Sequence, residues 1–596
     1  MKYNMKNSIR KGAVSALAVI ALLYSCKDSF LDVPVTGQLD SKLLSGVLGL
    51  DAALTATYAQ VNGRGGRMAS PSNWVWGSIR GAEANKGTDP GDFSDINPIQ
   101  RFEALPTQGV INEKYSGNYE GVARANAVLK LLKTADPSVT PAQLTSFEAQ
   151  AKFLRAHYYF ELKRGFNMVP YVDETIDVGA GLADVKNDVD IYPKIEADLQ
   201  FAVANLPDVQ GQVGRVNKSA AQAYLAKVYM QQNKIADALT IYHALLNADG
   251  TAKVKTSNGK TWDLNAKFAD TFKASNDNSA ESIWAYQSAA NTGSVNNANP
   301  EFDLNWPYNT GADGPGNCCS FFQPTFEQGN VYRTVAGLPL LDRSFNTGAN
   351  QVKTDMGIET KDPFTPDAGE LDPRIDFTIG RRGIPYLDWG KFPGKSWIRN
   401  QPNAGPYQTK KFVYYKTDKG SLQDNSSWTP GYTAINFPII RYADVLLMAA
   451  EAEIEGGDLN IAHTYINKIR TRAANPAGFV MDGAVPAANY VINTYAAVAS
   501  KDVMRQRLRM ERRLELAEEG HRFYDLIRWN IQTPGYAKSE IDAYFAYEAP
   551  KIPSGAFLNP ACTFTNNQDE YLPIPQAQID LVGPDKLKQN PGYSGN

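Results

Sequence analysis

Two stretches of the sequence combine flat aromatic rings with amide and charged side chains in turn-rich surroundings. Trp306-Pro307-Tyr308 is flanked by Asn305 and Asn309 and runs into Thr310-Gly311-Ala312-Asp313-Gly314-Pro315-Gly316. A sugar ring has an apolar C–H face and a rim of hydroxyls. Aromatic rings supply rigid contact area for the face, and neighbouring amides or charges fix the rim. In the second stretch Trp74 and Trp76 precede Arg80, Lys86, Asp89, Asp92, Phe93 and Asp95 in a glycine-containing loop. The candidate ligand-binding residues are therefore Trp306, Tyr308, Asn305, Trp74, Trp76, Lys86, Asp89 and Asp92. The competing reading is packing, since tryptophans are highly buried on average. Asp89, Asp92 and Asp95 also offer oxygen ligands to a structural calcium ion, although their spacing is not that of an EF-hand loop. Tyr386, Asp388, Trp389, Trp397 and Tyr407 form a third aromatic set, read either as the rim of the same site or as a face toward a partner. Trp284, in Ser282-Ile283-Trp284-Ala285-Tyr286, alternates like a strand and reads as core.

Catalysis has no comparable candidate. Glu451, Glu453 and Glu455 are carboxylates two apart on an expected helix, so they point in different directions and do not face each other across a glycosidic bond. The four histidines, His157, His243, His463 and His521, are far apart in sequence. No HExxH, CxxC, P-loop or GxSxG pattern occurs, and no metal site is expected. Arg507 with Glu511 and Arg512 with Glu515 sit about one helical turn apart and read as local helix-stabilising pairs.

The elements that must position these residues are helical. Apolar residues recur at helical spacing through Lys218–Asn247, broken at Asn233-Lys234, which gives two helices in a unit near the length of a tetratricopeptide repeat. Phe147–Phe166 and Ile191–Leu206 are further members. Downstream, Val445, Leu446, Ala449 and Ala450 line one helix that Gly456-Gly457 ends. Asp458 caps the next, whose stripe is Ile461, Tyr465, Ile466 and Ile469. Helical patterns thus fill about Leu43–Leu246 and Ile439–Trp529. Between them Gly250–Pro438 is rich in Gly, Pro, Asn and Asp yet carries most of the tryptophans, which fits a loop-rich functional subdomain rather than disorder.

Composition sets the class. The chain has 596 residues, is 43% hydrophobic and carries a formal charge of -3. That is enough apolar surface for a sizeable core, and no basic block suggests a nucleic-acid partner. Lys2, Lys6, Arg10 and Lys11 precede an apolar run from Gly12 to Leu23, too short to span a bilayer. Leu23-Tyr24-Ser25-Cys26 then looks like a lipoprotein cleavage site, so Cys26 is the expected lipidation site and the membrane is reached by an anchor. Asp28–Gln38 reads as an extended tether. Cys318, Cys319 and Cys562 leave an odd number after Cys26, so a bridge to Cys562, a vicinal bridge and unpaired thiols all stay open.

Several separate motifs resemble the SusD/RagB family of Bacteroidetes outer-membrane lipoproteins. They are Cys26-Lys27-Asp28-Ser29-Phe30-Leu31-Asp32-Val33-Pro34; Glu148–Ala156 followed by Val169-Pro170; and Arg441-Tyr442-Ala443-Asp444-Val445-Leu446-Leu447-Met448 with Glu451-Ala452-Glu453. Ile466–Ala473 follows, then Glu511-Arg512-Arg513-Leu514-Glu515-Leu516 through Gly520, Arg522, Asp525, Arg528 and Trp529. Leu572-Pro573-Ile574-Pro575 and Gln589-Asn590-Pro591-Gly592-Tyr593 close the chain. The resemblance implies a mostly α, tetratricopeptide-like scaffold. It implies lipid anchoring at the outer membrane, usually on the cell surface, and a SusC-like TonB-dependent transporter as partner. It also implies capture of an oligosaccharide or polysaccharide rather than catalysis. A peptide-binding member of the fold is the alternative; a hydrolase and a ligand-free cap are more distant ones. In starch-binding relatives the region of Lys86 supplies an arginine, an aromatic and an asparagine. Here Lys86 roughly matches the basic position and Pro90 stands where those relatives have tryptophan, which counts against starch itself.

The organisation expected is a signal peptide at 1–25, a lipidated tether at 26–40 and a helical-repeat region at 41–249. A loop-rich ligand-binding subdomain at 250–438 and a closing helical region at 439–596 follow.

Overall fold

The structure is a computed structural model that describes residues 44–63, 67–177, 184–293, 304–316, 318–424, 432–552, 558 and 561–594. Cys26, the expected signal peptide and the expected tether lie outside the described residues.

The main helices of the first half are α1 Val47–Ala59, α2 Gly109–Leu132, α3 Pro141–Phe166, α4 Tyr192–Asn205, α5 Lys218–Gln231 and α6 Ile235–Leu245. The second half supplies α7 Tyr442–Gly456, α8 Leu459–Ala473, α9 Lys501–Glu515, α10 Arg522–Gln532 and α11 Tyr536–Glu548. Their ends follow the local chemistry. Thr140 and Gln143 close a capping box at the start of α3, with Pro141 at the first helical position. Asn217 caps α5 and Asp458 caps α8 through side-chain oxygens that accept backbone N–H groups.

Packing runs in sequence from α2 to α8, each helix against the next, and α9 returns onto α7. Buried alanines at positions 220, 221, 223 and 226 let α5 approach its neighbours closely. The fold is thus mostly helical, as the periodicity predicts. Strands are short: β1 Ala84–Gly87, β2 Ser282–Tyr286, β3 Phe321–Pro324 and β4 Phe437–Arg441 are the ones that matter for the site. β1 pairs antiparallel with β3 (Ala84 opposite Pro324, Gly87 opposite Phe321). β2 pairs antiparallel with β4 (Phe437 opposite Tyr286, Ile440 opposite Trp284). The second pairing brings the start of the loop-rich stretch to its end and delivers it to α7.

One continuous core takes in residues from Leu50 to Leu587, and a smaller cluster around Tyr332, Leu371, Tyr407 and Leu514 lies under the loop-rich stretch. Trp284 is core, packed edge-on against Phe153 and His157. Among the described residues no helix is long and apolar enough to cross a membrane. Cys318 and Cys319 form a vicinal disulfide, and Cys562 is buried as a thiol, so the bridge between distant cysteines does not form.

The charged signature differs from the local pairs its spacing suggests. Glu511 binds Arg374 and Arg470, and Glu515 binds Arg374, Arg441 and Arg472, all buried. Arg512 bridges Asp444 and Asp525. Arg507 instead donates to the Ala497 carbonyl and lies over the Tyr495 ring. Burial explains the difference: an ion pair inside a protein needs several partners to offset desolvation, and those come from other elements.

Candidate functional site

Most of the aromatic candidates are inside. Trp306 is 1% exposed, packed edge-on against Tyr414 at 5.1 Å, and Gly316 lies close against its ring. Trp74 is wedged between Phe321 and Phe322. Trp76 is buried in a π-helical turn, Trp74–Ile79, with its indole N–H donating to the Met68 carbonyl at 2.7 Å. Asn305 is buried as well. None of these rings presents a face to solvent, so the expected Trp306, Trp74 and Trp76 platform is corrected. Composition alone does not distinguish a ring that anchors a loop from one that the loop displays.

The third set is corrected in the same way. Tyr386, Trp389, Trp397 and Tyr407 are buried. Tyr386, Phe392 and Trp397 pack against one another as a small loop core. Asp388 accepts the backbone N–H groups of Lys416 and Thr417.

What remains at the surface is a compact patch. Tyr308 is half-buried, and its backbone N–H donates to the Trp397 carbonyl at 2.9 Å. That bond ties the loop after Trp306 to the segment that follows Trp397. Arg399, on the latter segment, sits 5.4 Å from the centre of the Tyr308 ring. Its guanidinium also pairs with Asp89 at 2.6 Å and with Asp92. Thr88 joins through its hydroxyl, 3.0 Å from Arg399 and 3.2 Å from Asp92. The structure therefore brings together Tyr308, Asp89 and Asp92 from the sequence-based set, and adds Arg399.

Each partner is held from below. β1 and β3 bring the 88–95 loop beside the 304–310 loop, where Ser320 donates to the Trp306 carbonyl and Thr88 to the Ser320 carbonyl. Asn403 donates to the Thr88 carbonyl at 3.1 Å, fixing the Arg399 segment. Lys86 is fully buried and donates through Nζ to the carbonyls of Asp89 and Asp92, at 2.9 and 2.6 Å. Burial pushes its pKa down to about 8, opposed by the two aspartates. Lys86 thus shapes the acidic loop and does not reach a ligand.

Arg399 stands where a cation would neutralise Asp89 and Asp92. Among the described residues no three carboxylate, histidine or cysteine side chains converge as a metal site would require. Arg399 escaped the sequence reading because it lies 307 positions from Asp92. The one available signal was two acids in a glycine loop, which need a counter-charge without saying whose.

Of the carboxyls with raised pKa, the property a general acid needs, Asp277 is half-buried, pushed up to about 8 mainly by desolvation, and accepts the Asn436 backbone N–H, while others are in the interior. Glu518 is pushed up to about 8, and Glu83 and Glu548 to about 7, in each case mainly by desolvation. These three glutamates are buried, beyond the reach of a polymer. Glu451 is bound to Arg528, Glu453 to His243 and Glu455 to Arg505, so each of the three is taken up by a side chain from another helix.

Residues 280–593 match the family model described as "SusD family", and residues 79–230 match one described as "Starch-binding associating with outer membrane". The first covers more than half of the chain. The chain belongs to the SusD family. Full-length similarity agrees. "SusD-like protein P2" of Formosa agariphila is 23% identical over 98% of this chain and 100% of its own length. A "SusD-like protein" of Bacteroides ovatus is 24% identical over 96% of this chain and 94% of its own. Among solved structures, a "Laminarin binding SusD-like protein" superposes with a TM-score of 0.64 at 24% identity, over 92% of this chain and 99% of that one. "Surface glycan-binding protein A from Bacteroides thetaiotaomicron in complex with laminarihexaose" gives 0.59 at 21% identity, over 91% and 99%. At such identities the likeness shows the SusD fold, and the ligand of this SusD-family chain is a question for its own surface.

Proposed function

We propose that this SusD-family chain binds an oligosaccharide or polysaccharide at the Tyr308–Arg399–Asp89–Asp92 patch. The observation that carries the reading is the meeting of one half-buried ring, a guanidinium and two carboxylates on loops that a rigid base holds in place. The ring contacts the apolar face of a sugar, and the Arg399 and aspartate edges bind hydroxyls. Weak contacts repeated along a polymer add through effective concentration. Family relatives whose names describe glycan or laminarin binding support the ligand class. The protein in this reading binds and does not cleave, which the binding names of its SusD-like structural neighbours support. In this reading Cys26 carries the lipid anchor at the outer membrane, and a SusC-like TonB-dependent transporter receives the glycan.

The test is isothermal titration of the soluble form, residues 27–596, against plant, host and microbial polysaccharides. Saturable binding to one class is expected, falling by at least about tenfold in Tyr308→Ala, the size of a lost aromatic contact of about 1.5 kcal/mol. Arg399→Ala should weaken it comparably. No heat with any glycan, together with saturable peptide binding, would overturn the reading. Recovery of the solubilised lipoprotein with no β-barrel partner would overturn the transporter step.

A further inference from the structure

In the interior lies a small cavity walled by buried side chains that include Trp74, Asn305, Trp306, Thr409, Lys411 and Glu518. A water-sized sphere has about 10 Å³ of room there. Four side-chain atoms on these walls are buried without a hydrogen-bond partner: Trp74 Nε1, Trp306 Nε1, Asn305 Oδ1 and Glu518 Oε1. An unsatisfied buried polar atom costs about 1–3 kcal/mol, so four on one cavity need a common explanation.

We propose that this cavity is a binding site for one internal water molecule. Two of the four atoms, the indole N–H groups, can only donate. The amide oxygen accepts, and the carboxyl oxygen accepts when it carries no proton. Water accepts two hydrogen bonds and donates two, which matches that set with any Glu518 proton carried on the oxygen that faces Thr409, and the volume suits one molecule. The walls disfavour other small occupants. A cation would face two indole N–H groups and the Lys411 ammonium. An anion would face the Asn305 oxygen and the Glu518 carboxyl, while the Lys411 donors are already taken by the carbonyls of Glu515 and Ala517 and by Glu519. The water would join three distant segments: the π-helical turn that Trp74 opens, the Asn305–Trp306 stretch that leads into Tyr308, and the turn after α9. Thr409 already holds the other Glu518 oxygen at 2.7 Å, so Oε1 is the atom left for solvent.

A crystal structure of residues 27–596 that resolves ordered water tests this directly. The expected result is one isolated density peak within hydrogen-bond distance of at least two of the four named atoms. An empty cavity, or a peak with the coordination of an ion, would overturn the proposal. Denaturant unfolding of Trp74→Phe, Trp306→Phe and the double variant gives an independent measure. Each single change removes one N–H and keeps a ring, and should lower the folding equilibrium constant roughly tenfold. If both indoles hold the same water, the double variant should lose clearly less than the product of the single losses. Losses that simply multiply would count against a shared molecule.

Discussion

Glu518 shows how one side chain sets a pH response. Its carboxyl is buried, receives the Thr409 hydroxyl and lies near Glu83, which accepts the Glu518 backbone N–H. Desolvation raises Glu518 to about 8, and Glu83, raised to about 7, adds repulsion. The folded pKa exceeds the unfolded one, so the stabilising contribution is present below the ordinary carboxyl range and is lost as pH rises through about 8. Glu518→Gln keeps an oxygen for Thr409 and cannot ionise. It should be the more stable protein at about pH 9, by at least about 1 kcal/mol, with a shallower alkaline fall in Tm. Thermal unfolding of both proteins from about pH 6 to 9 checks this. Equal slopes would show that the pair ionises without cost. At this scale the sequence was least readable. Trp306 and Tyr308 are two positions apart and of similar type, yet one is core, packed on Tyr414 and Gly316, and the other is half-buried beside Arg399. Arg399 was out of reach because nothing local links it to Asp89.

At the scale of elements, periodicity was a reliable guide. The α5–α6 break at Asn233, where φ is 58°, and the α7–α8 break before Asp458 both stand where turn chemistry puts them. A helix of this kind is specified by its own stripe and caps, so nearest-neighbour information suffices. The π-helical turn Trp74–Ile79 was not legible, because it is defined by what packs on it. Gly77 meets the backbone of Gly520, which itself has φ of 75° and lies against the Ser72 carbonyl. A methyl group at Gly520 would collide with that carbonyl and force an unfavourable left-handed alanine. Gly520→Ala should therefore cost more than about 3 kcal/mol in urea unfolding. Gly483 provides the contrast: its φ is 65° but nothing lies within 4 Å of an added methyl. Gly483→Ala should cost only the backbone term, about 1–2 kcal/mol. Similar losses at both sites would mean that the close approach of the two backbones is unimportant.

For the whole molecule, the decisive feature is the buried ion lattice that joins the loop-rich stretch to the helices. Glu515 on α9 contacts Arg374 from the loops, Arg441 at the end of β4 and Arg472 on α8. Arg441 also pairs with Glu281 and Glu519, Lys411 with Glu519, and Arg374 with Asp372. Each cation has carboxylates on more than one side or spends its remaining donors on carbonyls, so charge balances without solvent. The sequence showed these residue types and their helical positions, but three-residue and four-residue spacing pointed to local pairs. Only the tertiary contacts reveal that the same residues fix the loop-rich stretch. Three guanidiniums hold Glu515 well below the usual carboxylate range despite burial. A depressed pKa gives stability that is present above about pH 4.5 and is lost as pH falls further. Glu515→Gln removes the charge that three cations share, and should destabilise the protein by about 3–5 kcal/mol at neutral pH. The variant should also lose part of the acid sensitivity, since the group that must be protonated is gone. Urea unfolding at about pH 7 and about pH 4 measures both effects. A Glu515→Gln protein as stable as the parent at neutral pH would show that the lattice is redundant. In that case the loop-rich stretch would be held to the helices by its apolar clusters and the β2–β4 pairing alone.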